Sequence, residues 1–399
     1  MDSVLGDPTD GFDREAGHGR ATGEASELLC QLVAIDSVNP DLAPDGKGER
    51  QIAELVADWL ASRRLSVELQ DTDRPGRPNV IAVAQGSGGG RALMLNGHMD
   101  TVGLAAMPDG LEPRVEGGRL YGRGASDMKG GLAALMLASA DPAERDLRGD
   151  VVLAAVVDEE YASLGTTSVV RSHRADAAIV AEPTALGIGV AHKGFVWLEI
   201  ATQGRAAHGS LPGAGIDAIT KMGRVLVEID ALGRRLAEKP SHRLLGTGSV
   251  HASLIHGGHE VSTYPADCLL TIERRTVPPE TDLDAQEEIQ ALLDDIARSD
   301  PDFRASVRAT FSRPWLDGSP RQPLAQMIGR ELEARTGRRP EIVGMTYWTD
   351  ASILATAGIP AVVFGPHGED HHGAAEWVDL RSVETCREVV AAVAARFCA

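Results

Sequence analysis

Leu93-Met94-Leu95-Asn96-Gly97-His98-Met99-Asp100 is a short apolar run that ends on an imidazole and a carboxylate. The pattern recurs. Val151-Val152-Leu153-Ala154-Ala155-Val156-Val157 runs into Asp158-Glu159-Glu160, and Ala177-Ala178-Ile179-Val180-Ala181 runs into Glu182. Ile359-Pro360-Ala361-Val362-Val363-Phe364 is followed shortly by His372. Runs of strand length at 79–84, 91–97, 151–157 and 177–181 alternate with a helical stretch at 130–140. Strands apolar on both faces and interleaved with helices predict an α/β fold, a mostly parallel sheet flanked by helices. Ligands of such sheets sit outside the carboxyl ends of the strands. The acids and histidines fall there, where a buried charge is costly unless it is paired or bound to a metal. Asp127 joins them from a glycine-bounded turn, Gly122-Arg123-Gly124-Ala125-Ser126-Asp127-Met128-Lys129-Gly130-Gly131.

Working outward, the pattern changes near residue 194. A strand from Phe195 to Thr202, a helix over about 214–233, strands at about 249–256 and 267–275, a helix carrying Ile289, Leu292, Leu293 and Ile296, and a strand over about 304–311 follow in order. That β-α-β-β-α-β order is the split βαβ, ferredoxin-like unit. The expected division is a catalytic, metal-binding domain over 25–192 and 312–399, with an α+β lid or dimerisation domain inserted at 193–311. Residues 1–24, rich in Asp, Gly and Glu, read as a disordered tail without a signal peptide.

Lys plus Arg total 39 and Asp plus Glu 58, a formal charge of −19, which argues against nucleic-acid partners and against anionic membranes. No apolar run reaches membrane-spanning length. Cys30, Cys268, Cys386 and Cys398 show no CxxC spacing and read as reduced thiols of a cytoplasmic protein. Gly86-Ser87-Gly88-Gly89-Gly90 leads into a strand instead of a helix, which makes it a poor phosphate loop, and the chain has neither a G-x-S-x-G elbow nor an HExxH motif.

Imidazoles and carboxylates without cysteine suit Zn(II), Co(II) or Mn(II). A carboxylate bridging two ions about 3.5–4 Å apart, with two more ligands on each, describes a co-catalytic hydrolase site. His98, Asp127, Glu160, Glu182 and His372 supply that count. Asp100, two residues from His98, shares its face if the strand continues, and would then orient the imidazole through its second nitrogen. Glu159 adjoins Glu160 and is the natural general base.

Taken together, Gly97-His98-Met99-Asp100-Thr101-Val102, the Gly122–Gly131 turn, Asp158-Glu159-Glu160, Ala181-Glu182-Pro183-Thr184, and Phe364-Gly365-Pro366 with His372 and Glu376 resemble the M20 metallopeptidases. That family includes acetylornithine deacetylase, succinyl-diaminopimelate desuccinylase and aminoacylase. The resemblance implies two zinc ions, with Asp127 bridging, His98 and Glu182 on one, Glu160 and His372 on the other, and Glu159 as base. His371 precedes His372, but the spacing from Gly365-Pro366 and to Glu376 favours His372. Gly204-Arg205-Ala206-Ala207-His208-Gly209-Ser210 resembles the segment whose histidine reaches a neighbouring active site across a homodimer, so His208 is expected to stabilise the oxyanion there. Arg275, in Glu273-Arg274-Arg275-Thr276-Val277-Pro278, matches the family's arginine and is the candidate for a substrate carboxylate. Ser262 stands where relatives carry a substrate-binding Asn. Tyr347-Trp348-Thr349-Asp350 is an aromatic version of a Thr-Asp segment near the site, with Asp350 as a further substrate contact. The implied reaction is removal of an N-acyl group from an amino acid by attack of metal-bound hydroxide. The alternatives are a dipeptidase or carboxypeptidase, or a non-catalytic binding protein on the same fold.

Overall fold

The computed structural model describes residues 23–141 and 147–399. The expected tail, up to residue 22, lies outside them. The main sheet runs in the order Ser66–Gln70, Asn79–Ala84, Val151–Val156, Leu93–His98, Ala177–Val180, Ala361–Val363, Ile188–His192, Leu316–Asp317, and Ile342–Met345 pairs with Ile188–His192. Its centre is parallel: Leu93–His98 pairs in parallel with Val151–Val156 and with Ala177–Val180, which pairs in parallel with Ala361–Val363. These are the four apolar runs of the sequence, and each is buried throughout. Because they point the same way, the segments that leave them emerge at one edge.

Helix Gly130–Ala140 is apolar all round and almost wholly buried, because Glu24–Val33 and Leu380–Phe397 cover the sides that the sheet does not. Gly131 has to be glycine: a Cβ there would lie 2.0 Å from the Ala181 carbonyl oxygen. That close approach brings the turn carrying Asp127 against the strand end carrying Glu182.

The second sheet is wholly antiparallel, in the order Ser249–Gly257, Asp267–Thr276, Gly194–Gln203, Arg304–Arg313. Helices Ala218–Ala237 and Asp282–Ser299 cover one face, burying Val196, Leu198, Ile200, Ile272, Met222 and Ile289 among others. This is the ferredoxin-like arrangement read from the sequence. The first of those helices starts later than expected, because Asp217 caps it by accepting the Thr220 N–H at 2.9 Å. A small third sheet of Arg114–Glu116, Arg119–Tyr121, Gly368–Glu369 and Trp377–Asp379 was not anticipated; its strands are too short to leave a periodic signal. It ties the Asp127 turn to the segment carrying His372.

Candidate metal centre

His98 is the last residue of its strand and is buried. Its Nδ1 lies 2.9 Å from the backbone oxygen of Asp100, which leaves Nε2 facing Asp127 Oδ1 at 3.2 Å. The expected partnership with the Asp100 carboxylate is therefore corrected. The strand stops at His98, the chain turns, and the carbonyl takes the imidazole while the carboxylate stays 3.6 Å away. Asp100 works on the neighbouring loop instead. It accepts the backbone N–H groups of Glu159 at 3.1 Å and Glu160 at 3.2 Å, and the Asn39 amide at 2.8 Å. Asp158, at φ +66°, is held by Asn39 at 3.0 Å and Arg77 at 3.0 Å, and Arg77 Nε donates to Glu49 at 2.7 Å. Asn39, Glu49 and Arg77 were missed from sequence; they are single polar residues in loops and at a helix start, without a motif.

The Asp127 turn is clamped by Glu376. One oxygen of Glu376 accepts the N–H groups of Ser126 and Asp127, both at 3.0 Å, and the other accepts from Gly124 at 3.0 Å and Arg123 at 2.7 Å. The Arg123 and Glu376 side chains are each 1% exposed. So placed, Asp127 lies between two halves. Its Oδ1 faces His98, whose Nε2 is 3.8 Å from Glu182; its Oδ2 is 3.4 Å from His372 Nε2, which is 3.2 Å from Glu160. His371 also lines the cavity but meets the Ser126 hydroxyl at 2.8 Å instead of Asp127.

The electrostatics call for a cation. Burial, then the charge of Glu182, holds Glu159 well above the usual carboxylate range. Burial, with the charges of Asp127 and Glu160 outweighing His98, does the same to Glu182, and burial with Asp127 close by pushes Glu160 up to about 7. Burial also works against the charged His98, yet its bond to Asp127 and the surrounding carboxylates keep it well above an ordinary histidine. Contacts with Asp127 and Glu160 raise His372 to about 10. Glu160 Oε1 is buried without a hydrogen-bond partner among the described residues. Ligand atoms of His98, Asp127 and Glu160 lie within 4.8 Å of one another, as do those of His98, Glu159 and Glu182. Imidazole and carboxylate donors at such spacing, with an orphaned buried oxygen, fit divalent metal.

Asp127, Glu159, Glu160, Glu182 and His372 open onto a cavity of about 380 Å³, whose other wall includes Phe195, Trp197, Arg275, Arg313 and Trp348. Arg275 thus lines the cavity, with its Nε donating to Glu273 at 2.6 Å. Asp350 does not. It is 1% exposed, sits behind the carboxylates, accepts from Thr166 at 2.6 Å, and is raised to about 6 by burial. It therefore lies outside the cavity that a substrate would enter. His208 and Ser262 are exposed and adjacent, with the Gly209 N–H donating to the Ser262 carbonyl at 2.7 Å, and neither lines the cavity within one chain. Phe195, Trp197 and Arg313 were also missed; their i, i+2 placement on strand Gly194–Gln203 and at the end of Arg304–Arg313 was the available signal.

Fold and site together define a class, the metal-dependent hydrolases of amide bonds. The chain belongs to peptidase family M20/M25/M40, whose family model matches residues 94–396. It is 31% identical over 384 residues to acetylornithine deacetylase of Myxococcus xanthus, covering 93% of this chain and 96% of that one. Its fold is similar to that of a tripeptidase from Staphylococcus aureus, with a TM-score of 0.76, 20% identity, and coverage of 93% and 98%. It is likewise similar to a Bacillus subtilis protein described as a dinuclear metal binding peptidase from the M20 family, with a TM-score of 0.70, 16% identity, and coverage of 94% and 97%.

Proposed function

We propose that this chain removes the N-acyl group from an N-acyl amino acid, and that its centre holds two divalent ions, zinc by preference with cobalt or manganese as substitutes. The observation that carries this is the position of Asp127, with one oxygen toward His98 and the other toward His372. In this reading His98 and Glu182 hold one ion, Glu160 and His372 the other, and Asp127 lies between. Such ions polarise an amide carbonyl and make bound water a nucleophile near neutral pH. Glu159, half-buried beside them and with a raised pKa, would take a proton from a water held there and deliver it to the leaving amine. Arg275 meets the carboxylate side of the substrate. Residues 25–192 and 312–399 serve as the catalytic unit and 193–311 as the lid.

The protein acts in this reading as a homodimer, with His208 and Ser262 of one copy serving the site of the other; their exposure, next to each other and away from their own cavity, supports that arrangement. Among the described residues no helix is long and apolar enough to cross a membrane. With four free cysteines and an acidic surface, a cytoplasmic enzyme acting on small molecules is the proposal. The test is turnover of N-acetyl, N-succinyl and N-formyl amino acids and of dipeptides by protein loaded with zinc, cobalt or manganese, beside metal analysis. About two ions per chain with cleavage of an N-acyl amino acid is expected; two ions and no cleavage would make the chain a binding protein, and faster dipeptide cleavage would make it a peptidase.

A further inference from the structure

The wall opposite the metal centre is an ordered tile on the face of the second sheet that its helices leave open. Strand register places Phe195 between Arg275 and Arg313, and Trp197 between Glu273 and Phe311. Cross-strand neighbours of this kind touch. The Trp197 and Phe311 rings are 5.0 Å apart, those of Phe195 and Trp197 5.6 Å, and Trp348 stands edge-on to Phe195 at 6.2 Å. The chain has only five Trp, four Tyr and six Phe, yet Tyr161, Phe195, Trp197, Tyr347 and Trp348 all line this one cavity.

The charges on the tile are unequal. Arg275 is ion-paired with Glu273 at 2.6 Å. Arg313 has no carboxylate within salt-bridge distance among the described residues; its guanidinium donates to the backbone oxygens of Ser312 and Ala162, lies 4.2 Å over the Phe311 ring, and keeps a buried Nε without a partner. Asp350, Asp158 and Glu159 act on it only from beyond salt-bridge distance, and a desolvated guanidinium with no directly bonded anion beside an open cavity is a place for a substrate carboxylate. No lining carboxylate is left for a substrate cation: Asp127, Glu159, Glu160 and Glu182 crowd the metal centre, and Glu273 is paired.

We propose that the cavity selects amides that carry both a carboxylate and an aromatic ring, with Arg313 as the main carboxylate anchor, Arg275 as the second, and Phe195, Trp197 and Trp348 as the wall for the ring. This rests on the amide-hydrolase reading above and sharpens it, because a cationic side chain such as that of ornithine has no counter-ion here.

The ring can belong to the side chain or to the acyl group, so the test compares N-acetyl-L-phenylalanine and N-benzoylglycine with N-acetyl-L-alanine and N-acetyl-L-ornithine. N-acetylphenylalaninamide serves as the version without a carboxylate. Turnover is measured on the metal-loaded full chain, and binding of the same compounds to Glu159→Gln protein by calorimetry. At least one aromatic acid should exceed both aliphatic ones by about 10- to 200-fold in kcat/KM, and which one does assigns the ring to its arm. Arg313→Gln should raise KM for aromatic acids far more than it lowers kcat and more than Arg275→Gln does, with Arg313→Lys recovering part of the loss. Trp197→Ala should narrow the aromatic-to-aliphatic ratio, and Trp197→Phe should keep most of it. Preference for N-acetylornithine or N-acetylalanine, or an equal effect of Arg313→Gln on acid and amide, overturns the proposal. If aromatic acids bind but no amide is cleaved, the hydrolase reading falls and this one stands. If all amides are cleaved without aromatic preference, the reverse holds; compounds neither bound nor cleaved overturn both.

Discussion

On one side of the cavity the functional groups hang from strand ends and turns that are themselves clamped: Glu376 holds the Asp127 turn by three backbone N–H groups and Arg123, and Asp100 with Asn39 and Arg77 holds the Asp158–Glu160 turn. On the other side Phe195, Trp197, Arg275 and Arg313 stand on an open sheet face, held by ring contacts, one ion pair, the Trp197 indole bond to Glu273 and the Arg313 bonds to backbone carbonyls. The metal side is over-determined, so almost any change there disturbs several partners at once. The tile is modular, since a side chain on an open face can be exchanged without unfolding the strand beneath it. That contrast teaches where reaction and selection reside: chemistry needs positions fixed to a fraction of an ångström, while selection among substrates needs only a face that can be repainted.

The largest effect should come from the metal side. Glu159→Gln is expected to lower kcat by about 10²–10⁴-fold while metal content, read by mass spectrometry, stays at the unsubstituted level. Substantial residual turnover would remove Glu159 as the proton carrier. Next comes Glu376→Gln, whose single acceptor oxygen cannot serve the four donors that Glu376 serves. It would also leave the Arg123 charge buried and uncompensated, so a loss of about 3–5 kcal/mol in denaturant unfolding is expected, together with weaker metal binding. A loss below about 1 kcal/mol, the value of an exposed pair, would break the contrast between the two walls.

His208 tests whether the insert contributes chemistry as well as selection. His208→Ala should lower kcat by about 10²–10³-fold if its side chain steadies an oxyanion. Because it lies outside its own chain's cavity, mixing His208→Ala with Glu159→Gln protein should regain activity through hybrid dimers in which one site has both residues. No regain on mixing would confine His208 to a surface role.

Much of the metal side was legible in the sequence because its parts are local. A strand end places His98, a glycine-bounded turn places Asp127, and an acidic triplet places Glu159 and Glu160, each within a few residues of its structural cause. What was not legible is non-local. Arg77 reaches Asp158 from a loop far earlier in the chain, and the Asp100 error arose because strand length decides which atom faces His98. The tile was hidden for the same reason: Phe195, Arg275 and Arg313 become neighbours only through the register of three strands. Asp350 was misplaced because a Thr-Asp pair reads the same whether it faces a cavity or the back of one.

The smallest expected effect marks where the tile ends. One step further along the same face, Glu199 pairs with Arg308, whose side chain is 72% exposed. An ion pair in that much water contributes about 0–1 kcal/mol, and neither residue lines the cavity. Arg308→Ala should therefore shift unfolding by no more than that and leave kcat/KM for every substrate within error. If aromatic acids are instead turned over several-fold more slowly by Arg308→Ala while N-acetylalanine is unaffected, the substrate's footprint passes beyond Trp197 onto the outer sheet. The selective wall would then be longer than the cavity, and the insert would read an extended acyl or peptide chain along its face instead of one ring.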